Sequence, residues 1–231
     1  MRQKSSFSIG FKHLLLTLGV LLLFVSMSTS AFATATSDTY VRIVHAAPNA
    51  GNVDVYVDQK EVLKNFAFAT ATSYLSVPGG EHTIRVVPTG KNIRAAVLRW
   101  STDLTAGNLY TVAVVGSKEK GFRFRSFLDN NALGGASAKV RVYHLSPNAG
   151  PVDVTLGGKK VITGLEYNQV SPYLTVPAGA QAFNVNAIRA RATVPLNATI
   201  KEGTINSIFA IGFYKGTPPL QFLVSTVPGT K

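Results

Sequence analysis

Apolar and polar residues alternate along most of the chain beyond its N-terminal segment. Val53, Val55 and Val57 share one side of such a run, while Asp54 and Tyr56 share the other. This alternation is typical of a half-buried β-strand, because successive side chains of a strand point to opposite faces of its sheet. No segment keeps a helical period over a comparable length. We therefore predict an all-β protein.

The same pattern predicts about seven short strands in each half of the chain. In the first half they cover residues 41–45, 53–57, 72–77, 82–87, 94–100, 109–115 and 121–128, and in the second half 140–144, 152–156, 171–176, 181–188, 192–200, 205–213 and 220–226. Turn sequences such as Pro78-Gly79-Gly80 separate the runs. Short strands at this spacing favour an immunoglobulin-like β-sandwich in each half.

The two halves are copies of one another. Residues 41–62 recur as residues 140–161 with 12 of 22 positions identical, at a constant offset of 99. A repeat of this length is a whole small domain, because solenoid units span only about 20 to 50 residues. We predict two modules, at 38–131 and 138–231. The small and polar residues between them predict a flexible linker that is still short enough to keep the modules adjacent.

The N-terminus has the composition of a secretory signal peptide. Arg2, Lys4 and Lys12 precede an apolar run at residues 14–25, and Ala-Phe-Ala at 31–33 matches a cleavage site. We predict a signal peptide over 1–33 and a secreted or cell-envelope protein. An uncleaved N-terminal anchor is the alternative, but the run is shorter than the roughly 20 residues that span a bilayer. The mature chain is expected to lack a transmembrane anchor.

Composition narrows the function further. The chain contains no cysteine, which excludes disulfides, thiol catalysis and lipid attachment through cysteine. Loss of the three basic residues of the signal would lower the formal charge from +12 to +9. A basic exported protein is suited to contact with anionic wall polymers or acidic polysaccharide. The alternative is that the positive charge reflects solubility and overall composition and serves no specific partner.

Four residues are kept at equivalent positions and could carry chemistry: His45 and Asp54 in the first module, and His144 and Asp153 in the second. A histidine and an aspartate on neighbouring strands could form a general-base pair. No nucleophile accompanies them in both copies, since Ser146 replaces Ala47. We therefore favour a structural role and predict no catalytic residue.

The structural role can be stated for each residue. The histidine would fix the following Pro-Asn-Ala-Gly turn through a hydrogen bond, and the aspartate would pair with Arg42 or Arg141 on a neighbouring strand. Histidines beyond the signal are also too scattered for a metal centre, and a calcium site confined to the first module is the weaker alternative. We predict no metal and no cofactor.

The strongest basic patch comprises Lys118, Lys120, Arg123 and Arg125. The arginines alternate with phenylalanines, so that an anionic polymer could bind the arginine face, with Tyr56 or Trp100 offering stacking platforms. The alternative is a last strand with its phenylalanines in the core, whose cations discourage edge-to-edge association. Nucleic acid is not expected as a partner, because no groove-reading helix or aromatic RNA-binding signature is present.

Three motifs together carry a family resemblance. The pattern V-R-[IV]-x-H-x-x-P-N-A-G-x-V-D-V is followed by Y-L-x-V-P-x-G and by L-x-x-G-x-x-Y-T-V-x-x-x-G. In these motifs the chain resembles the bacterial domain-of-unknown-function 4397 family, in two tandem copies. The resemblance implies exported or surface proteins with immunoglobulin-like sandwiches, and it supplies no catalytic residues. Asn206 departs from the third motif, which suggests that the later strands of the second module pack differently.

These observations favour a secreted, non-catalytic protein that acts as a structural or adhesion module of the cell envelope. A binding module for carbohydrate or anionic wall polymer is the alternative. A hydrolase built on His45 or His144 ranks third.

Overall fold

The computed structural model describes residues 37–231, so the predicted signal peptide at 1–33 lies outside the described residues. The described part of the chain contains 17 β-strands, one short 3₁₀ turn at Ile93–Ala95 and no α-helix. The all-β prediction is therefore confirmed. Residues 37–231 belong to a single compact unit, which includes both modules.

The strands of the first module are β1 (Asp38–His45), β2 (Val53–Val57), β3 (Lys60–Phe66), β4 (Thr70–Ala71), β5 (Leu75–Pro78), β6 (Gly80–Pro88), β7 (Leu98–Leu104), β8 (Leu109–Ser117) and β9 (Gly121–Asp129). They form two sheets. One has the order β3-β2-β6-β7, and the other has the order β4-β1-β8-β9 with β5 also paired to β1. Strands β1 and β8 run parallel.

The second module repeats this arrangement with β10 (Ala138–His144), β11 (Val152–Leu156), β12 (Lys159–Leu165), β13 (Leu174–Val176), β14 (Gly179–Ala187), β15 (Ala192–Ile200), β16 (Thr204–Ile211) and β17 (Gln221–Pro228). Its sheets have the orders β12-β11-β14-β15 and β13-β10-β16-β17. Strands β10 and β16 are again parallel. The duplicated sequence thus folds into a duplicated topology.

The two sheets of each module share one apolar core. In the first module, Val53 and Val55 of one sheet and Val112 and Val114 of the other are buried in the same cluster. An equivalent cluster fills the second module and includes Val152, Val154 and Phe183. Alternate residues of each strand enter the core, which is the physical origin of the period of two.

A third apolar cluster lies between the modules. It joins Ala113 and Val115 of β8 to Phe209 and Ile211 of β16, and all four are fully buried. The other face of each strand enters the core of its own module, so both faces are covered. Double coverage explains why these two strands read as nearly continuous apolar runs.

The segment between the modules is held by hydrogen bonds, in contrast to the flexible linker that its composition predicts. The N–H of Leu133 donates to the carbonyl of Thr230, and the N–H of Thr230 donates to the carbonyl of Asn131. The side chain of Leu133 is buried. The linker is therefore tied to the last residues of the second module.

Strands β3 and β12 are absent from the predicted strands. Their inward residues do not keep strict alternation, because irregular pairing interrupts both hairpins. Asn65 and Gly164 occupy this irregularity with positive φ angles of 53° and 63°. Asparagine and glycine adopt such angles at low cost.

Candidate functional site

Two arginines at equivalent positions of the repeat meet at one buried carboxylate between the modules. Arg42 of β1 approaches Asp129 with Nη2 to Oδ2 at 3.4 Å, and Arg141 of β10 approaches it with Nη1 to Oδ1 at 3.1 Å. Arg42 is only 1% exposed and the side chain of Asp129 is fully buried. A carboxylate and two guanidinium groups therefore share the centre of the molecule. We call these three residues the junction triad.

Hydroxyl groups complete the hydrogen bonding of the junction triad. Thr111 Oγ accepts from Arg42 Nη2 at 2.7 Å and donates to Asp129 Oδ2 at 2.5 Å. Ser207 Oγ also accepts from Arg42 at 3.0 Å. Burial raises the pKa of Tyr74, which keeps its phenol protonated as a donor to Asp129 at 2.7 Å.

Aromatic rings enclose the Arg42 guanidinium. Its central carbon lies 4.9 Å from the ring centroid of Tyr74, 5.1 Å from that of Phe209 and 5.9 Å from that of Tyr143. Tyr143 also donates its hydroxyl hydrogen bond to Asp129, and burial raises the pKa of this phenol. Arg42 and Asp129 are shielded from solvent, whereas the Arg141 side chain is 13% exposed, so the two fully buried charges are not accessible to a substrate.

The predicted ion pairs of Asp54 and Asp153 with these arginines are wrong. Both arginines bind Asp129 instead. Asp54 accepts from the N–H of Asn65 at 2.8 Å, and Asp153 accepts from the N–H of Gly164 at the same distance. These backbone donors belong to the irregular positions of β3 and β12.

The environment of each aspartate stabilises its charged form. Burial acts to raise the pKa of Asp54, but hydrogen bonds from Asn65, Gly90 and Thr89 outweigh it and lower the pKa. A hydrogen bond from Lys160 lowers the pKa of Asp153, and Nζ of this lysine lies 2.5 Å from Oδ2. Both aspartates thus serve as charged acceptors that hold a turn of the chain.

The two kept histidines are fully buried and bind the turn that follows them. Nε2 of His45 lies 2.9 Å from the carbonyl oxygen of Gly51, and Nε2 of His144 lies 2.7 Å from that of Gly150. A carbonyl accepts only, so Nε2 carries the proton. Burial lowers the pKa of both histidines and favours the neutral ring. Nδ1 of each has no partner within residues 37–231.

Within residues 37–231, the hydrogen bonds of both kept histidine rings go to backbone carbonyls and not to a nucleophilic side chain. Ser146, the serine nearest in sequence to His144, donates to the carbonyl of Gly212 at 2.7 Å. No cluster of three or more histidine or carboxylate side chains in the described part of the chain could hold a metal ion. The third histidine among residues 37–231, His82, donates through Nε2 to the carbonyl of Pro78, and Gln181 makes the equivalent bond to Pro177.

The four predicted polyanion-binding residues, Lys118, Lys120, Arg123 and Arg125, are all exposed. The lysines lie at the turn between β8 and β9, and the arginines lie on β9. Among residues 37–231, no carboxylate forms an ion pair with any of the four. We call them the cationic hairpin.

The structure also shows where the aromatic residues near the cationic hairpin lie. Phe122 and Phe124 of β9 pack against the core of the first module. Trp100 is half-buried and stacks on Phe124 with ring centroids 5.7 Å apart, so it is not the exposed stacking platform that the sequence suggests. Tyr56 donates its hydroxyl to Glu61 at 2.8 Å.

A cleft of about 420 Å³ adjoins the cationic hairpin, and sequence reasoning did not identify it. Lys120 of the first module and Arg189 and Tyr214 of the second line it, and none of its described lining residues is acidic. Asn148 fixes one wall, since its side chain exchanges two hydrogen bonds with the backbone of Tyr214 at 2.9 and 2.7 Å. The cleft forms only because the modules meet here, so periodicity could not reveal it.

Two stretches of the chain, residues 39–155 and 138–230, match the family described as Domain of unknown function (DUF4397). The chain belongs to this family. The predicted resemblance is confirmed, and the two matches agree with tandem DUF4397 copies. No curated protein matches the chain.

The TIE protein of Bacillus anthracis is a solved structure to which the DUF4397 chain is similar. The two are 14% identical, and the similarity covers 80% of this chain and 34% of that protein, with a TM-score of 0.26. The DUF4397 chain thus spans about a third of the length of this relative. Within residues 37–231, no helix is long and apolar enough to cross a membrane.

We predict that Asp129→Asn lowers the free energy of unfolding by about 3 kcal/mol, because it leaves buried guanidinium groups without a countercharge. Urea denaturation followed by Trp100 fluorescence measures the change. Asp103→Asn is the matched control, since Asp103 is exposed and should tolerate the change with little effect. Equal midpoints for both variants would show that the junction triad contributes no stability.

A second prediction concerns pH. The pKa of His45 and His144 is lowered on folding from an ordinary value of 6.5. Unfolded chains therefore bind more protons than folded ones just below pH 6.5, so that stability is complete above this pH and decreases as pH falls. The variant His45→Gln with His144→Gln keeps an amide donor for each turn and should show a smaller decrease.

Urea denaturation at several pH values between about 5 and 7.5 measures this difference. Asp54 and Asp153 do not contribute in this range, because their pKa values lie below the ordinary 3.8. The pKa of His82 is raised and gives the opposite slope, but His82 is present in both proteins and cancels in the comparison. Parallel pH profiles for the two proteins would refute the prediction.

Proposed function

We propose that this protein is an exported, non-catalytic structural or adhesion unit of the cell envelope, built from two immunoglobulin-like β-sandwiches. The observation that supports the proposal best is the junction triad. It joins the two modules into one unit, because Arg141 of the second module pairs with Asp129 of the first, which also binds Arg42 of the first. A protein that carries load or displays a surface needs such a fixed relation between its domains.

The export part of the proposal rests on the N-terminal sequence. The basic residues, the apolar run and Ala-Phe-Ala at 31–33 are typical of a cleaved secretory signal. The absence of cysteine is compatible with an oxidising compartment, because about 100 residues per module can bury a sufficient core without disulfides.

The non-catalytic part rests on the geometry of the kept residues. The four repeated candidates, His45, Asp54, His144 and Asp153, all bind the backbone of neighbouring turns. A general base must reach the proton that it removes. The kept histidines are fully buried and use their protonated nitrogen for a turn.

Export is tested by expressing the full chain in a secreting bacterial host and determining the N-terminus of the protein outside the cytoplasm. We expect a chain that begins at Thr34. A matched variant, Ala31→Asp with Ala33→Asp, should block cleavage, since the cleavage site requires small residues. A full-length protein that stays in the cytoplasm would contradict export.

A second candidate function is binding of an anionic wall polymer or acidic polysaccharide. One observation favours it: the cationic hairpin has no carboxylate partner within the described residues, and the adjoining cleft adds Arg189. The arginines of the hairpin also lie at the module boundary. Their charges act on a residue of the second module: burial raises the pKa of Tyr167, and the positive charges of Arg123 and Arg125 act against this rise.

Retention on immobilised polygalacturonate and on isolated cell wall tests polymer binding. We expect retention that weakens with salt, because screening shortens the range of surface charges. Arg123→Ala with Arg125→Ala should reduce affinity by about tenfold, equivalent to roughly 1.4 kcal/mol.

Lys159→Ala with Lys201→Ala removes the same charge from the opposite end of the second module and is the matched control. Equal losses in both double variants would show that only net charge matters. The absence of salt-sensitive retention would eliminate this function.

A further inference from the structure

The first module contains an apolar slot that opens between its two sheets. The slot has a volume of about 340 Å³ and lies between the outer strands β3 and β5. Buried side chains of Ile43, Ile84 and Leu104 form its floor, and half-buried Val62 and Val77 form its sides. We call this space the β3–β5 slot.

The second module shows that the fold does not need such a slot. Ile84 lies opposite Val57 in the first module, and Phe183 lies opposite Leu156 at the equivalent position of the second. The larger Phe183 side chain is only 1% exposed, so it fills the core at this point. A duplicated core that is filled in one copy and open in the other indicates a specialised first copy.

One side chain at the rim of the slot is also less buried than its equivalent in the second module. Val176 in the second module is 1% exposed, whereas its equivalent, Val77, is half-buried beside the slot. Apolar side chains left partly exposed around a concavity are typical of a ligand site.

The shape and lining define the ligand class. Protein pockets for small ligands start at about 300 Å³ and are mostly apolar with a few polar groups. If each methylene occupies about the volume of one water, roughly 30 Å³, the slot holds a chain of about ten carbons. A narrow space between two sheets suits an unbranched chain better than a fused ring system.

Polar groups at the mouth define the head of the ligand. Lys60 is exposed there and forms no ion pair with a carboxylate among residues 37–231. Glu61 also borders the mouth, but its carboxylate accepts the Tyr56 hydroxyl at 2.8 Å. This hydrogen bond leaves Glu61 charged but holds its carboxylate toward Tyr56, and Lys60 is the group at the mouth that is suited to pair with a carboxylate head.

We propose that the β3–β5 slot of the first module binds a single aliphatic chain with an anionic head, of the fatty-acid class. The chain lies on the floor formed by Ile43, Ile84 and Leu104, and the head pairs with Lys60. This function is separate from the structural and polymer-binding roles, since the lining of the slot includes no residue of the cationic hairpin or of the junction triad.

Decanoate is the probe, and isothermal titration calorimetry of the purified exported protein measures its binding. We expect saturable binding with one site and a dissociation constant below about 1 mM. Trp100, the only tryptophan, belongs to the same core and provides a second signal through its fluorescence.

Ile84→Phe copies the residue of the second module and should weaken decanoate binding by at least about tenfold without lowering the melting temperature. Ile84→Val is the matched control, since it leaves the slot open and should retain binding. If Ile84→Phe does not fold, Val77→Phe at the rim provides the same blockade with less disturbance of the core.

The head group is tested separately. Lys60→Gln should weaken decanoate about fivefold and leave decanol binding unchanged, because only the carboxylate uses the charge. No saturable binding of decanoate by the wild-type protein, or full binding by both Phe variants, would overturn the site. Equal effects of Lys60→Gln on decanoate and decanol would overturn the anionic head.

Discussion

A single buried carboxylate, Asp129, is the shared ion-pair partner of two guanidinium groups that come from the two copies of a duplicated module. Removing Arg42 from water costs several kcal/mol, and only a partner charge with well-placed hydroxyls offsets this cost. Asp129 ends β9, the last strand of the first module, whereas Arg141 lies on β10, the first strand of the second module. Arg42 and Asp129 both belong to the first module, so the arrangement of the two modules decides whether Arg141 reaches this carboxylate.

The junction shows how duplication is followed by divergence at a contact between copies. Thr111 and Ser207 are 96 positions apart and occupy equivalent places in the repeat, and both accept hydrogen bonds from Arg42. On the neighbouring strands the copies differ: Ser225 of β17, which also accepts from Arg42, lies where the first module has Phe127, and Val227 lies where the first module has Asp129. Both modules therefore contribute hydroxyl groups to the junction, but only the first module contributes the carboxylate.

The charged side chains of the cationic hairpin lie outside the junction and are exposed to solvent and not buried. Lys118, Lys120, Arg123 and Arg125 remain hydrated, so they contribute little to stability but can attract an anionic surface. Apolar residues show a similar division. The second module fills its core with Phe183, whereas the first leaves an opening above Ile84. The features that repeat maintain the fold, and the features that differ are candidates for function.

Periodicity was sufficient to predict the strand class and self-comparison the duplication, because both depend on local alternation and on residues close in sequence, whereas the family was predicted from the resemblance of three motifs. The kept histidines also act locally, on a turn six residues away. Interactions of Asp129 depend instead on residues up to 87 positions away in sequence, such as Arg42. Only the tertiary structure decided the partners of Asp129, the burial of both faces of β8 and β16, and the open β3–β5 slot. Each of these depends on packing between sheets, which brings together residues that no regular sequence spacing relates.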